Sequence, residues 1–147
     1  MKLGTKVRYG TRVMVELAQR EEQGPLSLGE IVGRQELSEK YVESLMATLR
    51  TAGLVLSSRG SQGGYRLSRA AGQVSVLDIY RTFESSESFV PCAEDASACR
   101  LWRTCATRDV WLAMHQAAMS VLRSTTLADL AERGRDLQAE ATPNYSI

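Results

Sequence analysis

Two helix start signals followed by a glycine-rich turn constrain the fold of this chain more than any other feature. Residues 27–30 (SLGE) fit a capping box, in which a serine and a glutamate satisfy free amides at the start of a helix. Ser38 is a second cap, because apolar residues follow it at a spacing of four. Two short strand-like runs, 54–56 (LVL) and 65–67 (YRL), then flank the turn SSRGSQGG, which predicts a β-hairpin. A short helix, a turn, a longer helix and a hairpin together predict a winged helix-turn-helix.

The remaining periodicity predicts a mainly α-helical chain with this small β-hairpin. Further helices are expected over about residues 6–20, from Ser75, and from Thr126 to near Gly134. From residue 84 to residue 104 the apolar period disappears, which predicts a long polar loop. We therefore expect four regions: a winged helix-turn-helix DNA-binding region (1–83), a cysteine loop that serves as sensor (84–106), a long dimerisation helix with a short C-terminal helix (107–134) and a flexible tail (135–147).

Charge is distributed unevenly along the chain, although the net charge is only +1. Residues 1–69 contain 11 basic residues (Lys and Arg) and 7 acidic residues (Asp and Glu). Residues 70–147 contain 7 basic and 10 acidic residues. A basic winged helix favours double-stranded DNA as partner, because the major groove admits one α-helix and phosphates attract cations. The candidate DNA-binding residues lie on the outer face of the second motif helix, at the wing tip and near the start of the first helix: Lys40, Glu43, Ser44, Arg59, Lys6, Arg8 and Arg12.

All three cysteines, Cys92, Cys99 and Cys105, fall in or at the end of the predicted loop. An odd number does not suit a disulfide scaffold, so the cysteines indicate metal or redox chemistry. Their C-x6-C-x5-C spacing is wider than the C-x2-4-C pairs of structural zinc sites, whereas a larger cluster can take ligands from a long wrapping loop. The spacing alone leaves an iron–sulfur cluster, a zinc ion and free or redox-switching thiols open.

A predicted helix of about four turns follows the loop and carries an apolar seam. Trp111, Met114, Ala118 and Val121 recur at a 3-4-3 spacing, which suits packing against another long helix. Since the sequence predicts no second long helix with a matching seam, the natural partner is the same helix of a second copy. We therefore expect these four residues to form the interface of a homodimer.

The sequence also argues against a membrane protein and against an enzyme. No apolar run exceeds five residues, far short of the roughly 20 that a membrane-spanning helix requires. The first residues, MKLGTKVRYG, contain no apolar signal region, so we expect a cytoplasmic protein. An enzyme is not expected, because the chain has one His, no Walker loop and no G-x-G-x-x-G motif after a predicted strand.

Four stretches carry a family resemblance: MKLGTKVRYGTRVMVELA, LSLGEIVGRQELSEKYVESLMATLRTAGLVLSSRGSQGGYRL, the three cysteines before a long helix, and TTLADL. Together they resemble the IscR/NsrR family of bacterial winged-helix transcription regulators, over roughly residues 1–134. The resemblance implies a homodimer that binds inverted-repeat operators and senses iron–sulfur, redox or nitric oxide status through a cluster. It implies that Glu43 belongs to the recognition helix and that Arg59 enters the minor groove. It also implies that Cys92, Cys99 and Cys105 ligate the cluster.

One departure from the family concerns the fourth cluster ligand. Members of the IscR type have a His three residues after the last cysteine, where this chain has Arg108, and members of the NsrR type use an Asp where it has Arg8. The candidates are then an exogenous molecule or a side chain elsewhere, namely Asp109, Glu94, Asp95 or His115. The cluster type (2Fe–2S or 4Fe–4S), the signal, the target genes and the direction of regulation stay open. So do two alternatives, a cluster-free thiol switch and a winged helix that docks on another protein.

Overall fold

The computed structural model of the chain describes residues 3–88 and 90–141. Its helices are α1 (Thr5–Gln19), α2 (Leu28–Gln35), α3 (Glu39–Thr51), α4 (Val76–Phe83), α5 (Pro91–Glu94), α6 (Arg108–Ser124) and α7 (Leu127–Ala141), and its strands are β1 (Val55–Ser58) and β2 (Gly64–Leu67). The predicted fold class, mainly α-helical with a small hairpin behind a helix-turn-helix, is confirmed. Among the described residues, no helix combines the length and the apolarity that crossing a membrane requires.

Side-chain caps set the starts of several helices. The Ser27 hydroxyl accepts a hydrogen bond from the Glu30 amide (3.3 Å), and the Glu30 carboxylate accepts one from the Ser27 amide (2.9 Å). The same reciprocal arrangement begins α4 at Ser75 and α7 at Thr126, while Ser38 caps α3. These bonds satisfy amides that have no partner within the helix. The predicted helix starts are therefore confirmed.

The hydrophobic core lies between α1, α2, α3 and the hairpin, and α4 and α7 close it. Fully buried side chains come from these elements and their connections: Val13, Met14, Leu26, Ile31, Val42, Leu45, Met46, Leu49, Val55, Ile79 and Leu127. At Gly10 of α1, a Cβ atom would collide with the Phe83 ring of α4, so the missing side chain lets the two helices approach. The core is aliphatic, in keeping with an aromatic content of 6%.

The hairpin is tied to the start of α2. The two strands are antiparallel, with the pairs Val55↔Leu67, Leu56↔Arg66, Ser57↔Tyr65 and Ser58↔Gly64. Backbone hydrogen bonds of 2.8 and 2.9 Å join Leu26 to Tyr65. Gly64 has a φ of 151°, and a Cβ atom there would collide with the Leu26 carbonyl group. The close approach of the wing to α2 therefore requires glycine at this position.

The last helix is longer than predicted, because it continues past Gly134 and ends at Ala141. Gly134 does not stop the helix; instead, a Cβ atom at this position would collide with the Gln19 side chain of α1. Residues 135–141 are mostly good helix formers, so the helix continues. Residues 142–147, the rest of the predicted tail, lie outside the described residues.

The predicted polar loop contains short ordered pieces. α5 spans Pro91–Glu94, and its proline occupies the first helical position, where an amide would have no partner within the helix. A single 3-10 turn, Ala96–Ala98, follows it. None of the residues in these two pieces is buried, so the loop lies over the surface rather than in a core of its own.

Candidate nucleic-acid interface and cysteine loop

α3 has one buried face and one exposed polar face. Lys40, Glu43 and Ser44 are exposed, whereas Val42 and Met46 are fully buried. The division follows from the 3.6-residue period of the helix and its packing against α2. The exposed face presents an ammonium, a carboxylate and a hydroxyl group, which are groups that read base edges in the major groove.

The wing has a narrow tip built from glycines. Arg59 precedes Gly60, whose φ of 106° is left-handed. The Gly63 amide donates a hydrogen bond to the Gly60 carbonyl (2.9 Å), and a Cβ atom on Gly63 would collide with the Ser58 carbonyl. Arg59 is exposed and forms no ion pair within the described part of the chain. Its guanidinium group is therefore available to an external anion or a narrow groove.

The basic residues of α1, Lys6, Arg8 and Arg12, are all exposed. The Arg12 guanidinium carbon lies 5.3 Å from the centre of the Tyr9 ring, and that ring meets the Tyr41 ring edge-on at 6.0 Å between centroids. Cation–π and edge-to-face contacts stabilise such arrangements. Arg12 is thus held near the first turn of α3. This link has no signal in the sequence, because it joins residues that are distant in the chain.

The three cysteines lie on different parts of the loop. Cys92 is on α5, Cys99 follows the 3-10 turn, and Cys105 precedes α6. All three are free and partly buried. Among residues 3–88 and 90–141, no three His, Cys, Asp or Glu side chains are grouped closely enough to hold a metal ion. The thiol donors that a cluster needs are present in one segment, but they are not brought together.

Cys105 lies in a polar and basic environment. Its Sγ atom is 3.3 Å from the Thr107 hydroxyl oxygen. Hydrogen bonds with the side chain and backbone of Thr107 lower the pKa of the Cys105 thiol. The neighbouring Arg108 guanidinium lies 4.5 Å from the centre of the Trp102 ring and donates to the Trp102 carbonyl (3.3 Å). Arg108 therefore braces the turn before α6, and a guanidinium has no lone pair with which to bind iron.

The four candidates for a fourth cluster ligand already have partners. Asp109 pairs with the adjacent Arg108 at 3.1 Å. Asp95 caps the 3-10 turn by accepting a hydrogen bond from a backbone amide at 2.8 Å. His115, partly buried on α6, interacts electrostatically with Glu87. The fourth candidate, Glu94, belongs to a separate set of contacts.

These contacts, which we call the α4–α5 latch, join the cysteine loop to α4. Glu94 of α5 accepts hydrogen bonds from the Ser86 hydroxyl (3.0 Å) and the Glu87 amide (2.9 Å). Glu87 in turn forms an ion pair with Arg81 of α4. The Tyr80 hydroxyl of α4 donates to the Ser86 carbonyl (3.2 Å). α4 packs against both α1 and α3, so the latch leads from the loop to the helices of the DNA-binding region.

α6 presents an apolar face to solvent. Trp111, Met114 and Val121 are 39%, 43% and 62% exposed, and Ala118 is partly buried. Met119, on the opposite side, is buried within the chain. Large apolar side chains that line up on one exposed face mark an interaction surface. The face coincides with the seam predicted from the sequence.

Comparison with known proteins gives one matching family. The Rrf2 family model, described as an iron-dependent transcriptional regulator, matches residues 3–133. The chain is 38% identical over 130 residues to the protein rrf2 of Nitratidesulfovibrio vulgaris, covering 88% of this chain and 87% of the relative. It is 43% identical over 131 residues to the transcriptional regulator CymR of Bacillus subtilis, and the match covers 89% of this chain and 90% of the relative.

Solved structures agree with the fold. The global cysteine regulator CymR of B. subtilis has a TM-score of 0.79 at 41% identity and covers 90% of this chain and 98% of its own. IscR of T. potens has a TM-score of 0.77 at 39% identity, and the match covers 99% of this chain and 95% of the IscR chain. The oxidized form of Staphylococcus aureus CymR has a TM-score of 0.72 at 40% identity, and the match covers 90% of this chain and 97% of the CymR chain. Because the relatives are named as transcriptional regulators, the expectation that the chain is not an enzyme is confirmed.

Proposed function

Because this chain belongs to the Rrf2 family of transcriptional regulators, we propose that it is a homodimer that binds an inverted-repeat operator under control of the cysteine loop. The observation that carries the proposal is the exposed polar face of α3 beside an arginine at the wing tip that forms no ion pair in the described part of the chain. An exposed polar helix and a narrow basic wing fit the two grooves of a duplex.

In this proposal, each contacting residue has a role that follows from its chemistry. Lys40 donates to guanine acceptors or to a phosphate, and Glu43 accepts from a cytosine amino group. Ser44 hydrogen-bonds to a base edge or a phosphate. Arg59 enters the minor groove, where a narrow A·T stretch has a stronger negative potential. The basic residues of α1 contact backbone phosphates, which position the protein without reading sequence.

Dimerisation sets the form of the operator. A two-fold dimer places two copies of α3 about 34 Å apart, which is one turn of B-DNA. The half-sites must then be inverted relative to each other, because the two copies are related by rotation. The exposed apolar face of α6 supports a second copy of this chain as the partner.

Cys92, Cys99 and Cys105 would hold an iron–sulfur cluster in the sensing form. Thiolates are the usual protein ligands of such clusters, and all three thiols are free. A bound cluster would supply a charged group whose presence depends on iron supply and oxidation. Since the thiols are not grouped in the described residues, the loop would have to close to bring them together. Arg100 and Arg103 lie in the same loop and would offset the negative charge of the thiolates.

Loop closure would act on the DNA-binding region through the α4–α5 latch. Cys92 lies on α5, and Glu94 at the end of α5 holds the segment that is bonded to α4. A displacement of α5 would therefore move the helix against which α1 and α3 pack. The displacement regulates binding only if the open and closed loops differ in their free energy of DNA binding.

Protein purified without air provides the test. We expect iron and acid-labile sulfide, visible absorption, and preferential binding to some genomic fragments in gel-shift titrations. Cys99→Ser should lose the colour and change DNA affinity, whereas the control Ser97→Ala in the same loop should behave like the wild type. A colourless wild-type protein would exclude the cluster. Equal binding to all fragments, or to none, would exclude the operator-binding regulator.

A thiol switch without metal is the second candidate. It is favoured by the similarity to S. aureus CymR, which was solved in an oxidized form, and by the three free cysteines of the loop. Hydrogen peroxide would oxidise two thiols to one disulfide, taking up two electrons and two protons and leaving as two water molecules. Mass spectrometry of peroxide-treated, metal-free protein would detect the cross-linked loop peptides. Unchanged DNA affinity after this treatment would refute the switch.

A further inference from the structure

A basic cavity lies between the base of the wing and the start of α2, beside the DNA-reading face. Its volume is about 380 Å³, and Ser27, Arg50, Ser57, Arg59 and Gly63 contribute to its lining. No acidic side chain contributes to this lining within the described residues. Arg50 is not among the DNA-binding residues that the sequence predicts.

Arg50 lies on the same face of α3 as Glu43. The two residues are seven positions apart, which on an α-helix is close to two full turns and about 10.5 Å along the axis. Both are exposed. Arg50 is therefore in line with the base-reading residues but further towards the end of the helix, where the chain leaves for the wing.

A hydrogen bond with the wing orients the Arg50 side chain. One terminal nitrogen, Nη1, donates to the Ser57 hydroxyl of β1 at 3.4 Å. Arg50 has no carboxylate within ion-pair distance in the described ranges. The Glu30 carboxylate of α2 bonds to the amide and hydroxyl of Ser27, and the arginines that act on it are Arg20 and Arg34. The positive charge of Arg50 is thus pre-positioned and uncompensated.

We propose that this cavity binds a single backbone phosphate of the operator, held by the guanidinium of Arg50 and the hydroxyl of Ser57. The inference deepens the proposed function and rests on it. A phosphodiester is singly charged and accepts several hydrogen bonds, and arginine matches its geometry. The bound phosphate lies between the major groove that α3 enters and the minor groove that Arg59 enters. Arg50 therefore adds affinity through the DNA backbone rather than by reading a base.

The test compares Arg50→Gln with the wild type on an operator duplex and a scrambled duplex, by fluorescence anisotropy at salt concentrations between about 50 and 200 mM. We expect Arg50→Gln to weaken binding to both duplexes by the same factor, about tenfold for each protomer. The slope of log K against log salt should become shallower by about 0.9 for each lost phosphate contact, or about 1.8 for the dimer. Arg50→Lys should keep much of the slope, because it keeps the charge, but recover only part of the affinity.

Arg66→Gln is the matched control. Arg66 is exposed on β2, next to Tyr65, and adjacent strand residues point to opposite faces of the hairpin. Tyr65 lines the cavity and Arg66 does not. The control should leave the salt slope unchanged. Circular dichroism and thermal unfolding of each variant confirm that it is folded.

Four outcomes would overturn the inference. The slope could stay unchanged in a folded Arg50→Gln protein, or Arg66→Gln could reduce it equally. Arg50→Gln could also weaken only the operator complex, which would make Arg50 a base contact. In these three cases the wild type still binds DNA, so the proposed function stands. Failure of the wild type to bind any duplex would instead remove the proposed function and this inference together.

Discussion

Replacement of Trp111 by Ala tests whether α6 forms the dimer interface. Trp111 is 39% exposed in the single chain. With about 250 Å² for a whole Trp side chain, roughly 100 Å² of it would be buried by a partner. At about 25 cal/mol per Å², this area contributes roughly 2.5 kcal/mol for each copy. A two-fold interface contains the residue twice, so the upper bound is about 5 kcal/mol.

The measured effect should be smaller than this bound. Alanine keeps part of the buried area, and some of the burial energy is offset by the ordering of side chains at the interface. We expect about 3 kcal/mol, which corresponds to a rise of roughly 100-fold in the dimer dissociation constant. Sedimentation velocity over a concentration series measures this change. Operator binding should weaken in parallel, whereas binding of one protomer to a half-site should not.

Gln116→Ala is the control for this prediction. Gln116 is exposed on α6, five positions from Trp111 and therefore on the other side of the helix. Circular dichroism checks the start of α6, because the Trp111 indole also donates a hydrogen bond to Thr107 (3.2 Å). A folded Trp111→Ala protein that dimerises as tightly as the wild type would refute the assignment of this face as the interface.

Three further predictions concern the wing, a helix cap and the latch. Arg59→Ala should weaken binding most on operators with A·T-rich flanks, measured by gel shift; an equal loss on all flanks would reduce Arg59 to a phosphate contact. Ser75→Ala should lower the free energy of unfolding in urea by about 1 kcal/mol near neutral pH, because it removes the cap of α4. Burial raises the pKa of Asp78, but hydrogen bonds from Ser75 outweigh this effect and lower it. The Asp78 carboxylate therefore adds to the free energy of unfolding above the usual carboxyl pKa, and this contribution is lost as the pH falls through the lowered pKa of Asp78. The difference in unfolding free energy between Ser75→Ala and the wild type should therefore shrink in acid. Glu94→Ala should make DNA affinity insensitive to the state of the cysteines in titrations of oxidised and reduced protein, because it removes the oxygen that accepts both latch hydrogen bonds, and an unchanged response would exclude the latch as the connection.

The parts of the fold that the sequence predicted are those in which the interacting residues are close in the chain. The capping bonds at Ser27, Ser75 and Thr126 each join residues three positions apart, so the residue types alone indicate them. The exposed face of α3 and the apolar face of α6 follow from helical periodicity in the same way. The candidate DNA-binding residues therefore lie where they were expected, and their contacts with DNA stay predictions.

The remaining features depend on residues that come together only when the elements pack. Gly134 has the residue type of a helix stop, yet it lies inside α7, where it meets the Gln19 side chain of α1. The latch and the bond between Arg50 and Ser57 likewise join different elements, whose side chains have no sequence signal for their partners. Local hydrogen-bonding and periodicity thus determined the helices, the wing and their polar faces. Tertiary packing decided what Gly134 contacts, which arginine faces the wing, and that the three thiols form no metal-holding group within the described residues, because these depend on distances between elements that no local pattern specifies.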